Sequence, residues 1–193
     1  MASITIAVEG PHDEAICRRL FHLFGHVVRT VHVTRGKNRL DEKLGGFNNA
    51  ARFSPWLILR DLNGDAVCPP DLIRQLLPDP APHMMLRIAV CAVESWLLAD
   101  PANLAPFLGV RLADIPLTPE AIARPKRALV DAAARSRYPR IKRDIVPRPN
   151  SGVEVGPGYT GRLLEFVTTR WDPEHAATRS DSLTRLINTL ARL

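Results

Sequence analysis

The sequence predicts an α/β fold: a Rossmann-like, mostly parallel four-stranded sheet flanked by helices, followed by a helical carboxyl-terminal region. Three observations carry this. Short apolar runs and helix-spaced patterns alternate four times over residues 1–100, as parallel strands joined by helical crossovers require. Trp56-Leu57-Ile58-Leu59 is apolar at every position, as a central parallel strand covered on both faces must be. Beyond Pro101 no strand-like run recurs, and only helical patterns remain.

The first strand is expected from Ile4 to Val8, running into Glu9-Gly10 and a helix from Asp13 to Phe24. Ile16, Leu20 and Phe24 recur at helical spacing, with Cys17 and Phe21 one position on, and Gly25 is a helix stop. A second strand, Val27 to Thr34, is rich in β-branched residues. Arg35-Gly36-Lys37-Asn38-Arg39 reads as a basic turn before a polar helix reaching Arg52, which Gly45-Gly46 is expected to interrupt. The third strand, Trp56 to Leu59, runs into Arg60-Asp61-Leu62-Asn63-Gly64-Asp65. A short helix near Asp71 to Leu77 takes Pro70 in its first turn. The fourth strand is expected from Met84 to Ala92, ending at Val93-Glu94 where a helix begins and stops at Asp100-Pro101. Helical patterns follow at Ala102 to Leu108, Ala121 to Ala134, Gly161 to Thr169 and Ser182 to Leu193, the last with Ser180 or Asp181 as cap. Tyr138 to Tyr159 reads as one long connection. Residues 1–100 are thus expected as the α/β core, and 101–193 as a basic helical region packed on it.

The apolar fraction of 46% leaves material for a sizeable core. The net charge of +6 is unevenly spread: residues 1–100 carry 11 Lys+Arg against 11 Asp+Glu, and residues 101–193 carry 15 against 9. An acid-bearing front half and a basic back half suit an anionic polymer held over a metal site, and an Arg-rich solvated helical surface gives the same charge. Cys17, Cys68 and Cys91 form no C-x-x-C pair and read as buried small hydrophobes in a reducing compartment. No basic leader precedes the first strand and no apolar run approaches membrane-spanning length, so a cytoplasmic protein without a membrane partner is expected.

Four acidic positions fall just after expected strands: Glu9, Asp61, Asp65 and Glu94. In a parallel sheet these ends share one edge, where such folds keep their ligands. Carboxylates crowded together raise one another's pKa unless a cation joins them. Mg²⁺ prefers oxygen ligands at about 2.0–2.1 Å and keeps waters for substrate phosphates to displace. Two such ions about 3.5–4 Å apart activate a water and stabilise the leaving oxygen of a phosphodiester. Each acid also has a structural reading: Asp13 and Glu14 at the positive end of a helix, Asp61 to Asp65 as a polar turn, Glu94 as a helix-starting acid. Asp61-x-Asn63-x-Asp65 is not a calcium loop, because Ala66 and Leu72 stand where that loop needs Gly and Glu.

Val8-Glu9-Gly10-x-x-Asp13, followed by Asp61-x-Asn63-x-Asp65 after the third strand, resembles the TOPRIM domain of topoisomerases, primases and the overcoming-lysogenisation-defect nucleases. Gly36-Lys37-x-Arg39-Leu40, Trp56 to Asp61, Glu94 to Asp100, Pro125-Lys126-Arg127 and Ser180-x-Ser182-Leu183 are similar to a bacterial TOPRIM-like family of unknown function. The resemblance implies Mg²⁺ or Mn²⁺, with Glu9 as ligand or general acid/base and Asp61 and Asp65 as ligands. Asp13 and Glu94 join the expected ligand set, and Lys37 is the candidate phosphate-contacting cation, with a solvated loop lysine as its other reading. Asn63 stands where the D-x-D pattern has its second Asp; an amide oxygen still coordinates a hard ion but brings no charge.

Arg135, Arg137, Arg140, Lys142, Arg143 and Arg148 cluster around Tyr138 with only Asp144 opposing in that stretch, and the first five with Arg39, Lys126 and Arg127 form the expected nucleic-acid contacts. Tyr138 is placed to stack on a base. Gly156 to Gly161 lacks the Lys-Ser/Thr ending of a P-loop, and His22 and His26 lack the Glu of a zinc motif. The expected function is divalent-metal-dependent phosphodiester hydrolysis on DNA or RNA, in a phage-defence or mobile-element setting with a protein partner there. The alternatives are a non-catalytic module that binds nucleic acid or a partner, its metal site weakened by Asn63, and a nucleotide-binding regulator.

Overall fold

Four strands, β1 (Ser3–Val8), β2 (Val27–Val33), β3 (Trp56–Asp61) and β4 (Met84–Ala89), form one all-parallel sheet in the order β2-β1-β3-β4. The computed structural model describes all 193 residues. They divide into two compact units, Met1–Val90 with Thr184–Leu193, and Cys91–Leu183. The division thus falls ten residues before the expected one, and the closing helical residues belong with the sheet.

In the first unit, α1 (Pro11–Leu23), α2 (Lys37–Ala50) and α3 (Pro69–Leu76) connect the strands. The inner strands β1 and β3 are buried along nearly their whole length, as their unbroken apolar runs require. Strand β2 is the edge and is largely exposed. One core layer joins α2 to the sheet: Leu40, Leu44 and Phe47 meet Ile58, Leu86 and Ile88. His32, Trp56 and Phe47 stack beside it, with centroids 5.3 Å apart for His32–Trp56 and 5.2 Å for Phe47–Trp56.

Helix α2 runs unbroken through Gly45-Gly46, against the expected interruption, and it begins at Lys37 inside the stretch read as a basic turn. Each glycine costs about 1 kcal/mol relative to alanine. Three buried large side chains at i, i+4 and i+7 contribute about 1.5–3 kcal/mol each and outweigh that. Strand β4 stops at Ala89 rather than Ala92, where the Leu62 N–H closes the ladder on the Ala89 carbonyl at 2.9 Å.

The second unit holds α4 (Val93–Leu98), α5 (Pro101–Leu108), α6 (Pro125–Ala134), α7 (Pro139–Ile145), α8 (Tyr159–Thr169) and α9 (Pro173–Ala177), with short 3-10 turns at Leu112–Asp114 and Pro119–Ala121. No strand occurs in it, as expected. Helix α10 (Asp181–Leu190) begins in this unit and runs into the first. The expected long connection from Tyr138 contains α7, whose Ile141 and Ile145 are buried one turn apart. Helix α9 has only five residues, too few for periodicity to show, although Asp172 caps it and Pro173 opens it.

Trp96 and Trp171 are fully buried and centre this unit's core. The Trp171 indole donates to the Trp96 carbonyl at 3.3 Å, and the Trp96 indole donates to Ser182 Oγ at 2.7 Å. Glu120 collects Ser180 Oγ at 2.6 Å, Ser182 Oγ at 2.5 Å and the Ser182 N–H at 3.0 Å, placing a carboxylate on the first turn of α10. Gly156 lies where a Cβ would sit 2.5 Å from the Asp144 carbonyl oxygen, so the backbone of 156 and the end of α7 meet only through glycine. Cys17 is buried, whereas Cys68 and Cys91 are half-buried rather than buried as expected, and all three are free. No helix is long and apolar enough to cross a membrane.

Candidate functional site at the carboxyl edge of the sheet

Strand order reverses between β1 and β3, the outward paths from β1 leading to β2 on one side and β3 on the other. The crevice beyond the carboxyl ends at such a point is where open α/β sheets hold ligands. Glu9 leaves β1 there, and its Oε1 accepts a hydrogen bond at 2.9 Å from the Asp61 N–H at the end of β3. Burial pushes the Glu9 carboxyl above its ordinary range, against the pull of that N–H and of Arg60.

Arg60 organises the rest. Its side chain is only 3% exposed. It grips Asp41 of α2 through Nε at 3.2 Å and Nη2 at 2.9 Å, and its Nη1 donates to Asp65 Oδ2 at 2.6 Å and to the Asp61 carbonyl at 2.5 Å. Lys37, opening α2, holds both oxygens of Asp65 at 2.7 and 2.9 Å. Burial raises the Asp65 carboxyl and the bonds from Lys37 and Arg60 outweigh it, leaving the group below its ordinary value. Asp41 and Asp65 are thus joined to Lys37 and Arg60, while Glu9 takes the Asp61 N–H beside them.

Asn63 has φ +48° and Gly64 follows at +76°. Asn is among the few residues that tolerate this left-handed turn. Asp13 is buried and its Oδ2 accepts the Gly10 N–H at 2.7 Å, so the third residue of α1 caps its own N-terminus. Its Oδ1 lies 3.4 Å from His12 Nε2, and His12 Nδ1 is buried with no hydrogen-bond partner. Glu94 belongs to the second unit, on the first turn of α4, where it is buried and accepts the Tyr159 hydroxyl at 3.0 Å.

The expected ligands Glu9, Asp13, Asp61, Asn63, Asp65 and Glu94 do not form one cage. No group of three or more His, Cys, Asp or Glu side chains is gathered so as to hold an ion. Asp65 faces Lys37 and Arg60, and Asp13 is engaged by its own helix. The Asp61 N–H on Glu9 brings the two acid-bearing strand ends together, and Mg²⁺ is commonly held by one or two carboxylates with substrate phosphates completing its shell.

Comparison with known proteins gives no match. No family model, no curated protein and no solved structure is similar to the chain.

Of the expected nucleic-acid contacts, Arg39 is exposed on α2. The others lie in the second unit: Lys126 and Arg127 are exposed on α6, with Arg127 paired to Asp131 at 2.9 Å. Asp144 is not the only opposing acid, because Arg135 pairs with Asp114 at 3.2 Å. Arg143 and Arg162 share Asp144. The Arg137 guanidinium lies 5.1 Å from the centre of the Tyr138 ring, and that ring packs on Gly109, where a Cβ would come within 2.3 Å of it. Arg140 and Lys142 are exposed.

Arg60, Asp41 and His12 escaped the sequence reading. The signal for Arg60 was a charged residue directly after four apolar ones in a buried strand, a position where a charge needs partners. Nothing in sequence spacing ties Asp41 to it.

Glu9 makes a stability prediction. Its folded pKa lies above the unfolded value of about 4.3, so the folded state keeps the proton longer. The associated stability is present below that unfolded value and is lost as pH rises through the folded one. Glu9→Gln keeps an oxygen for the Asp61 N–H and removes the buried charge. Urea unfolding is expected to show the variant more stable than wild type at pH 7 and equal to it near pH 3.

Proposed function

We propose that the crevice between β1 and β3 carries out divalent-metal-dependent hydrolysis of phosphodiester bonds in nucleic acid, as the TOPRIM resemblance implies. The observation that carries this is the pairing of Glu9 with the end of β3 at the switch point. Glu9 and Asp61 would hold Mg²⁺ or Mn²⁺, which supplies Lewis-acid stabilisation of a phosphoryl oxygen. In the other role the resemblance allows it, with Asp61 left to the metal, Glu9 acts as general acid/base, for which burial raises its carboxyl above the ordinary range. Lys37, one-third exposed, exchanges Asp65 for a phosphate oxygen, while buried Arg60 keeps Asp65 in place. Exposed arginines of the second unit suit the phosphate backbone, which predicts salt-sensitive binding.

Purified protein incubated with single- and double-stranded DNA and RNA, with Mg²⁺ or Mn²⁺, is expected to cleave at least one of them. Glu9→Gln and Asp61→Asn should each lower the rate by about 10²-fold or more. Absence of cleavage in every combination, or cleavage indifferent to both substitutions, overturns the proposal.

A second reading has its own observation. Asp65 is fully engaged by Lys37 and Arg60, and Asn63 serves the turn, so the crevice also suits a module that binds phosphate groups without turnover. Salt-dependent nucleic-acid binding with no cleavage, unchanged in Asn63→Asp, would select it.

A further inference from the structure

A cavity of about 580 Å³ lies within the second unit, bordered by α5, α7 and α8. Its size falls in the roughly 300–1,000 Å³ range of small-molecule sites. Two aromatic rings, Phe107 and Tyr138, line it together with Arg140, Arg162, Arg170 and Asn103.

The arginines differ in a way that matters. Arg162 is spent: Nε and Nη2 hold Asp144 at 2.9 and 2.7 Å, and Nη1 holds Glu165 at 2.6 Å. Arg162 and Arg143 together balance Asp144 and Glu165, the latter also a lining residue of the cavity. Arg140 and Arg170, like Arg148 elsewhere in the unit, make no side-chain hydrogen bond or ion pair, whereas Arg111, Arg124, Arg127, Arg135, Arg143 and Arg179 do. Arg140 and Arg170 thus border one cavity beside two rings, Tyr138 backed by Gly109 and Phe107 tilted against Phe166. Asn103 donates its amide N–H to Asp100 at 3.0 Å, which leaves its carbonyl oxygen as an acceptor. Guanidiniums suit a phosphate, aromatic rings a flat heterocycle, and an amide oxygen its edge.

We propose that this cavity binds a nucleoside monophosphate, with Arg140 and Arg170 on the phosphate and Tyr138 and Phe107 against the base. The same chemistry is presented by a free nucleotide and by the phosphorylated end of a strand. The proposal stands apart from the hydrolytic reading of the sheet edge.

Titration calorimetry tests it on the full chain carrying Glu9→Gln, without metal, so that the outcome is independent of hydrolysis. The probes are the four ribonucleoside 5′-monophosphates, adenosine, inorganic phosphate and a 5′-phosphorylated trinucleotide. At least one monophosphate is expected to saturate, with nucleoside and phosphate each binding about tenfold more weakly or worse. The double variant Arg140→Gln/Arg170→Gln should weaken monophosphate binding by about tenfold or more, with circular dichroism unchanged. Tyr138→Leu, which keeps an apolar group against Gly109, should weaken monophosphate binding and leave inorganic phosphate unaffected. Tighter binding of the monophosphate than of the trinucleotide assigns the cavity to free nucleotide, and the reverse assigns it to a strand end; both support it. Failure of every phosphate-bearing probe to saturate, inorganic phosphate binding as tightly as the best monophosphate, or indifference to the double variant overturns it.

Discussion

Arg60→Met is expected to lower the unfolding free energy by about 3 kcal/mol, the low end of the range for removing one partner of a buried ion pair. The side chain of Arg60 is 3% exposed and joins Asp41, Asp65 and the Asp61 carbonyl. Methionine fills most of its volume, so the loss reports the pairing rather than a cavity. Asp41 and Asp65 keep about a quarter of their surface and rehydrate in part, which sets the low end. The effect has a pH signature. Asp65 is held below its ordinary value, so its contribution is present above an unfolded pKa of about 3.9 and is lost as pH falls through the folded one. The gap between wild type and variant in urea midpoint should therefore be full at pH 7 and narrow below about pH 3. A gap that grows on acidification would mean that Arg60 does not act through Asp65.

Asp100→Ala is expected to cost a comparable 3 kcal/mol or so, within the second unit. The carboxylate is fully buried. It accepts the Asn103 amide at 3.0 and 3.1 Å and the Asp172 N–H at 2.9 Å, and it meets His175 Nδ1 at 2.9 Å. Alanine leaves all three partners without it. Asparagine preserves one acceptor but turns its NH₂ toward a donor, so Asp100→Asn should cost about 1–2 kcal/mol. Thermal unfolding that ranks the variants Ala below Asn below wild type supports this role. Equal stability of all three would show that the carboxylate carries no net weight.

The two residues read differently in sequence. Asp100 stands before a proline, and a helix boundary there was legible; its grip on residues 172–175 was not, because the partner lies far along the chain on a five-residue helix. Arg60 announced itself only as a charge beside a buried run, and its partner Asp41 sits on a helix whose first turn reads as a basic turn in sequence.

What the sequence by itself determined is the layer order and the shared edge. Strand and helix periods are local, so apolar runs at β1, β3 and β4 specify parallel strands, and parallel strands bring Glu9 and Asp61 to one side. The turn at Asn63-Gly64 is equally local. Only the tertiary structure decided which charges meet. Pairing of Asp65 with Lys37 and Arg60 rather than with the other acids depends on side-chain reach across elements, and a carboxylate follows the nearest cation that shares its burial. For the same reason the cavity beside Arg140 and Arg170 has no linear signature: its walls come from three helices, and the sequence shows one basic stretch where the fold separates spent guanidiniums from uncommitted ones.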